Sequence, residues 1–330
     1  DAGRGTQTLR GFTAPVGRMQ FSSDSRYLAA VSNNWKVGLW EHATGKLLHL
    51  WDGPHGVWQD NVGLAISADG RQLACAAGEQ AKLWDTATGR LIGEWDLPSG
   101  REDALAFHPS GALHLTRSEE DKETKQRVIR VRNLLGPDPL KAVREIPIGD
   151  WSIHLIRAAP DGNYVVATIA RVREQKTGRL RSFDPAGHEP PATLLERNVL
   201  VGTAGIGLEI DPTGQVLGFQ WQQGDAVRTW FLEMPARKPF DASGAQFGMP
   251  GPRFEVWLGA APGAQTGHML FRSRARPLVH LGLHAWGAGA GGSCFSRDGR
   301  FIAWYHKDGT IVVVDLPAIQ TELTKDGLGW

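Results

Sequence analysis

Residues 21–52, FSSDSRYLAAVSNNWKVGLWEHATGKLLHLWD, are echoed by residues 66–96, ISADGRQLACAAGEQAKLWDTATGRLIGEWD. Trp40 and Trp84, Gly45 and Gly89, and Trp51 and Trp95 each stand 44 residues apart. A unit of this length with four short apolar runs cannot bury both its faces alone. It needs a like unit on either side, and the period specifies four-stranded sheets stacked as blades. The expected fold class is all-β.

A turn of the form apolar–Ser/His/Asp–x–Asp/Ser/Thr–Gly anchors each unit, because Gly accepts positive φ and Asp or Ser bonds its own backbone. It recurs as Phe21-Ser-Ser-Asp-Ser25, Ile66-Ser-Ala-Asp-Gly70, Phe107-His-Pro-Ser-Gly111, Ala159-Pro-Asp-Gly162, Ile210-Asp-Pro-Thr-Gly214 and Phe295-Ser-Arg-Asp-Gly299. The last interval spans two units, and Ala260-Ala-Pro-Gly263 reads as the anchor of the weak one between. The count expected is seven blades. Residues 299–316 supply too few strands to finish the last blade, so Thr6–Arg10 is expected to complete it, closing the ring and removing an open edge. The domain then covers residues 1–316, and Pro317–Trp330 forms a short helical tail.

The chain has 330 residues, 41% hydrophobic, with a net charge of +1. That charge implies no general attraction to nucleic acid or to an anionic membrane. No apolar run of spanning length occurs. The longest charged run, Glu119–Arg127, mixes both signs and reads as a solvated hairpin tip. Two cysteines, Cys75 and Cys294, sit in apolar strand patterns, too few for a disulfide framework and fitting a cytoplasmic setting. The start, DAGRGTQTLRGF, lacks a Met and a leader-like apolar run, and is expected to be that of a domain cut from a longer polypeptide.

The repeats resemble WD40 repeats. Trp84-Asp85, Trp40-Glu41, the Asp-Gly turns and the Thr-Gly turns at Thr44-Gly45 and Thr88-Gly89 carry the resemblance. It is clearest in the first, second and last units. The divergence, and the tail ending Gly327-Leu-Gly-Trp330, resemble WD40-like domains of large bacterial proteins. There a kinase, protease or nucleotide-switch module is often fused upstream. The resemblance implies a non-catalytic scaffold or sensor with a protein partner or fused effector, no cofactor, and a monomeric isolated domain.

Other chemistry is weakly encoded. Gly287-Ala-Gly-Ala-Gly-Gly292 precedes a strand, whereas a dinucleotide fingerprint must open a helix. His280 and His284 have a spacing that suits a metal only on a helix. No nucleophile elbow occurs. His108 and His114 straddle a turn and read as structural. Trp40, Trp84 and Trp230 in third strands, and Trp51 and Trp95 in fourth strands, read as packing between blades. Trp58, Trp151 and Trp286 stand just before first strands, and Trp35 at a second-to-third strand tip. These positions share one face, and Trp anchors carry interface energy. The expected partner-binding set is Trp35, Trp58, Asp60, Asn61, Asp103, Trp151, His154 and Trp286. The alternative role for these Trp is to plug the blade tops. A second set, Gly205, Gly207, Gly289 and Gly291, lies on bare loops near the channel mouth, where a small molecule or peptide approaches closely. The alternative functions are therefore a channel-mouth sensor or an enzyme with a composite site.

Overall fold

The computed structural model describes residues 5–56, 62–99, 101–121, 123–148, 151–172, 175–185, 187, 192–199, 207–210, 213–214, 216–223, 226–233, 238–241, 249–250, 257–259, 268–272, 276–281, 293–306 and 308–325. Its 28 strands begin with β1 (Thr6–Leu9). The first sheet is β2 (Val16–Phe21), β3 (Tyr27–Ser32), β4 (Lys36–Glu41) and β5 (Lys46–Asp52). The second is β6 (Gly63–Ile66), β7 (Gln72–Ala77), β8 (Gln80–Asp85) and β9 (Leu91–Asp96). The third is β10 (Arg101–Phe107), β11 (Leu113–Glu120), β12 (Arg127–Asn133) and β13 (Ala142–Pro147). The fourth is β14 (Ser152–Ala158), β15 (Tyr164–Val172), β16 (Gln175–Phe183) and β17 (Ala192–Val199). The fifth is β18 (Gly207–Ile210), β19 (Val216–Gln223), β20 (Ala226–Glu233) and β21 (Lys238–Asp241). The sixth is β22 (Met249–Pro250), β23 (Trp257–Gly259), β24 (His268–Arg272) and β25 (Arg276–Leu281). The seventh holds β26 (Ser293–Phe295), β27 (Phe301–Tyr305) and β28 (Ile311–Asp315), with β1 as its fourth strand.

Every sheet is antiparallel, and in all but the last its strands follow chain order. The first strands neighbour one another in a cycle, β2 to β6, β10, β14, β18, β22, β26 and back to β2. In the last sheet Thr6 stands opposite Val314 and Leu9 opposite Ile311, so the N-terminal strand covers the edge of β28. Leu9 is fully buried there, beside Phe12, Trp40 and Ile311. One helix follows, α1 (Leu316–Lys325), starting one residue before the expected tail boundary. Asp315 Oδ1 accepts the Ala318 amide and caps it. Ile319 packs against the seventh sheet's cluster of Phe295, Ile302, Trp304 and Val314.

The tight turns explain why the repeat folds as it does. In each of three turns a Ser hydroxyl donates to an Asp two residues on, at 2.6 Å: Ser22 to Asp24, Ser67 to Asp69, Ser296 to Asp298. The same Asp oxygen accepts the amide of Arg26, Arg71 or Arg300 at 3.0–3.1 Å. The Ser oxygen accepts the amide opening the next strand, from Tyr27, Gln72 or Phe301. The Ser and Asp side chains of each turn are thus bonded locally. The Ser67 hydroxyl and the Arg71 amide hold the Asp69 carboxyl below its usual range. Ser25, with φ of 59°, occupies the left-handed position held by Gly70 and Gly299 in the other two turns. Its hydroxyl reaches Asp298 of the seventh sheet at 3.3 Å, across the junction of first and last sheets. Buried His42 sits at the same junction, its ring against Phe21 and Phe301 and its Nε2 donating to the Ser25 carbonyl.

Two expectations need correction. Ala260-Ala-Pro-Gly263 lies outside the described residues, but in chain order it comes after the second strand of its sheet, β23, whereas the other anchors come after first strands. A Pro-Gly pair marks a turn but does not say which one. The Glu119–Arg127 run is also only half a solvated tip. Asp121 caps the turn by accepting the Glu123 and Thr124 amides, but Glu119 is buried and paired with Arg132 and Arg130.

Trp40, Trp51, Trp84 and Trp95 pack between sheets as expected, while the Trp230 side chain lies outside the described residues. Trp51 stacks on Trp84 with centroids 5.3 Å apart and donates from Nε1 to the Gly89 carbonyl. Both cysteines are buried and free, and burial pushes the Cys75 thiol up to about 12 and the Cys294 thiol upward.

His108 and His114 are structural, as expected. The His108 Nδ1 accepts the Ser110 amide, and His114 is 7% exposed with its ring 5.1 Å from that of His108. Burial, then the neighbouring His108, lower the His114 pKa to about 4 from 6.5, against a smaller pull from Asp184. The unfolded chain therefore binds a proton that the folded chain refuses. Stability present above pH 6.5 falls as pH drops from 6.5 towards 4, then levels. Allowing for solvent screening, the loss is on the order of 2 kcal/mol. Urea midpoints measured from pH 7 to 4 should show this slope, and His114→Gln should flatten it. An unchanged slope in that variant would assign the acid sensitivity elsewhere, with His42, also lowered by burial, next in line.

Candidate recognition face

The two ends of the ring differ in kind. One end carries the capped turns between first and second strands and the Thr-Gly turns between third and fourth, each bonded to itself. The other carries the second-to-third strand tips and the crossings from one sheet to the next. There Gly53 donates to the Trp35 carbonyl at 2.7 Å, Leu97 to that of Glu79, and Asn33 to that of Pro15. Residues 53–56 cross the tip of the second sheet so closely that a Cβ on Gly56 would stand 2.6 Å from the Gly78 amide nitrogen. Fully buried Arg117 on β11 secures this crossing, its guanidinium donating to the carbonyls of Gly78 and Pro98.

Trp35 stands at this end, half-buried, with φ of 64°. A bulky residue in the left-handed region is uncommon and costs on the order of 1–3 kcal/mol. It is held by its own amide bond to the Ser32 carbonyl and by the Gly53 bond to its carbonyl. Its ring leans on His55, centroids 6.1 Å apart, and partly on the core of the first two sheets. Beside it Lys36 pairs with Asp52 at 2.5 Å and holds that carboxyl below its usual range.

Trp151 stands at the same end, between the third and fourth sheets, also half-buried. The Arg179 guanidinium lies 4.0 Å from its ring centroid and that of Arg181 lies 5.3 Å away. Arg179 grips Glu196 through two bonds, 2.5 and 3.2 Å long. Arg179, Arg181 and Phe183 alternate along one face of β16, and Phe183 packs against Ile129, Val131 and Ile146 of the third sheet. Among the expected residues, Asp103 falls in β10 and His154 in β14, their side chains beyond the description, while Gly207 opens β18. Trp58, Asp60, Asn61, Trp286, Gly205, Gly289 and Gly291 lie outside the described residues, as does His284. Sequence reading missed Arg117, Arg179 and Arg181. The Arg-x-Arg alternation in a strand ahead of a paired Glu was the signal for the last two. Among the described residues no three His, Cys, Asp or Glu side chains come together to hold a metal, and no helix is long and apolar enough to cross a membrane.

Cyclically packed four-stranded antiparallel sheets define a β-propeller. The model of the WD domain, G-beta repeat family matches residues 3–41, the stretch holding β1 and the first three strands of the first sheet. The fold is that of a β-propeller, and its first repeat matches the WD40 model. It is similar to the β-propeller domain of Cps50 (Swd1) from Myceliophteria thermophila. That likeness has 15% identity and a TM-score of 0.67, covering 94% of this chain and 99% of that one. It is likewise similar to U3-55K, at 14% identity and a TM-score of 0.63, covering 94% and 98%. These likenesses concern the fold. No curated protein matches the chain by sequence.

Proposed function

We propose that this propeller is a non-catalytic recognition module. In this reading it has seven blades, forms one domain over residues 1–316 with a helical tail, and docks a protein partner on the end that carries Trp35 and Trp151. The cyclic order of the first strands supports the blade count. The observation that carries the function is Trp35, a large aromatic held at a φ of 64° on the open end of the ring. Core packing alone is served more cheaply by an ordinary backbone, and strained aromatics at surface loops are characteristic of contact sites. At the opposite end the turn groups bond each other. A cytoplasmic setting, a fused effector and a bacterial origin belong to the same reading, as does a monomeric isolated domain. Scaffold use is consistent with the WD40 fold.

The test is cross-linking of the purified domain in lysate, with the linked residues mapped by mass spectrometry. Links should concentrate on lysines of the open end, Lys36 and Lys82 among them. A Trp35→Ala/Trp151→Ala variant that keeps its β circular dichroism should lose at least tenfold of the captured partner. Links clustered on the capped-turn end, or equal capture by the folded variant, would refute the face. Trp35→Asn should fold with equal or greater stability, since Asn accepts the left-handed backbone.

A further inference from the structure

We infer that Trp151, Arg179 and Arg181 form a carboxylate-binding subsite for an acidic peptide segment. The inference rests on the recognition reading of the same face and gives the partner its chemistry. Arg181 is half-buried on the face of β16 that turns to the third sheet. Among the described residues it makes no ion pair, and its buried Nε has no hydrogen-bond partner. Burial and the adjacent Arg179 both lower its pKa. A guanidinium removed from water without an anion is costly to fold around and is seldom kept for stability. Among the described residues the two guanidiniums share one carboxylate, Glu196, and Arg181 makes no hydrogen bond to it.

The neighbouring pair shows how that charge would be met. Glu196 binds the Arg179 Nε and Nη2 with both its oxygens while the guanidinium rests over the Trp151 ring. Arg181 presents a second guanidinium to the same ring, with no second Glu beside it among the described residues. A ligand carboxylate would take the role for Arg181 that Glu196 takes for Arg179, and planar Arg suits bidentate capture better than a point charge does. A net charge of +1 over the chain argues against a polyanionic surface such as nucleic acid, which needs a broad basic field. One open cation beside an aromatic ring fits the spaced acidic side chains of an extended peptide.

The experiment is fluorescence anisotropy with a fluorescein-labelled hexaglutamate peptide, a hexaglutamine control and a labelled single-stranded oligonucleotide. Wild type should bind hexaglutamate and not hexaglutamine, with affinity falling as salt rises. Arg181→Gln should weaken binding at least tenfold, and Arg181→Lys should retain part of it. Arg26→Gln, at the opposite end, should change nothing. Arg181→Gln should also melt no lower than wild type, whereas a structural arginine would leave a deficit. Equal binding by Arg181→Gln, binding of hexaglutamine, a lowered melting point, or preference for the oligonucleotide would each overturn the inference. If hexaglutamate fails to bind while cross-links still map to the open end, the acidic subsite falls and the recognition face stands. If both fail, so does the wider reading.

Discussion

Trp40→Ala should cost about 4 kcal/mol, within the roughly 3–5 kcal/mol typical of emptying a large aromatic site. Trp40 is fully buried in the cluster that joins the first sheet to the last. Its ring meets Phe12 edge-on at 5.0 Å, and its Nε1 donates to the Arg10 carbonyl at 2.9 Å. Arg10 and Phe12 belong to the segment that leads from β1 into the first sheet, so this side chain secures the strand that closes the ring. The loss should therefore appear first as fraying of β1. Amide exchange should accelerate at Thr6–Leu9 and at their partners Ile311–Val314 before it does so in the second sheet. Trp40→Phe separates the contributions. It keeps most of the volume but orphans the Arg10 carbonyl, for a loss of about 1–3 kcal/mol. A Trp40→Ala loss below 1 kcal/mol in urea, or uniform exchange across all sheets, would show that closure does not depend on this residue.

The residues that made this much legible are those whose role is local. Ser22, Asp24, Ser67, Asp69, Ser296 and Asp298 make their turn-closing bonds within six residues, so the turn reads directly from the chain. Trp40 and Trp84 mark third strands because the first two units place the same bulky side chain at the same level. The N-terminal strand followed from arithmetic, since residues after Gly299 were one strand short. The sixth unit misled because Pro-Gly turns occur at both ends of a sheet and no Ser–Asp pair marks which one is meant. The charged side chains were harder still. Glu119 sits inside a run of charges that reads as surface, and what buries it is the pleat. Thr116 and Ser118 face one neighbour while Arg117 and Glu119 face the other, an assignment that depends on which sheets flank the third. The Arg179-x-Arg181 alternation was legible in the chain, but its partner ring was not, because only the fold brings β16 to Trp151.

Glu119 carries the second large expectation. Its carboxylate is 6% exposed and binds Arg132, itself 5% exposed, through both nitrogens of the guanidinium end, with Arg130 adding a third contact at 3.3 Å. Arg132 has one further partner, the Leu140 carbonyl at 2.8 Å. Arg130 is better supplied, holding Asp121 at 2.8 Å and Glu145 at 2.7 Å. Removing Glu119 thus leaves Arg132 as a buried cation with no anion, and Glu119→Ala should destabilise by about 3–5 kcal/mol. That size does not measure the worth of the pair. Much of it is the cost of the stranded charge, so Glu119→Leu combined with Arg132→Met should be milder than either change alone, because neither ion of that pair then stays buried. Urea unfolding of the two single variants and the double gives the coupling directly. Additive losses would mean that solvent reaches Arg132 once Glu119 is gone. Arg130→Gln should cost less than Glu119→Ala, since Arg132 keeps its carboxylate and Asp121 and Glu145 turn to water. The third sheet would then owe its charged interior to one short contact, Arg132 with Glu119, around which the more exposed partners are arranged.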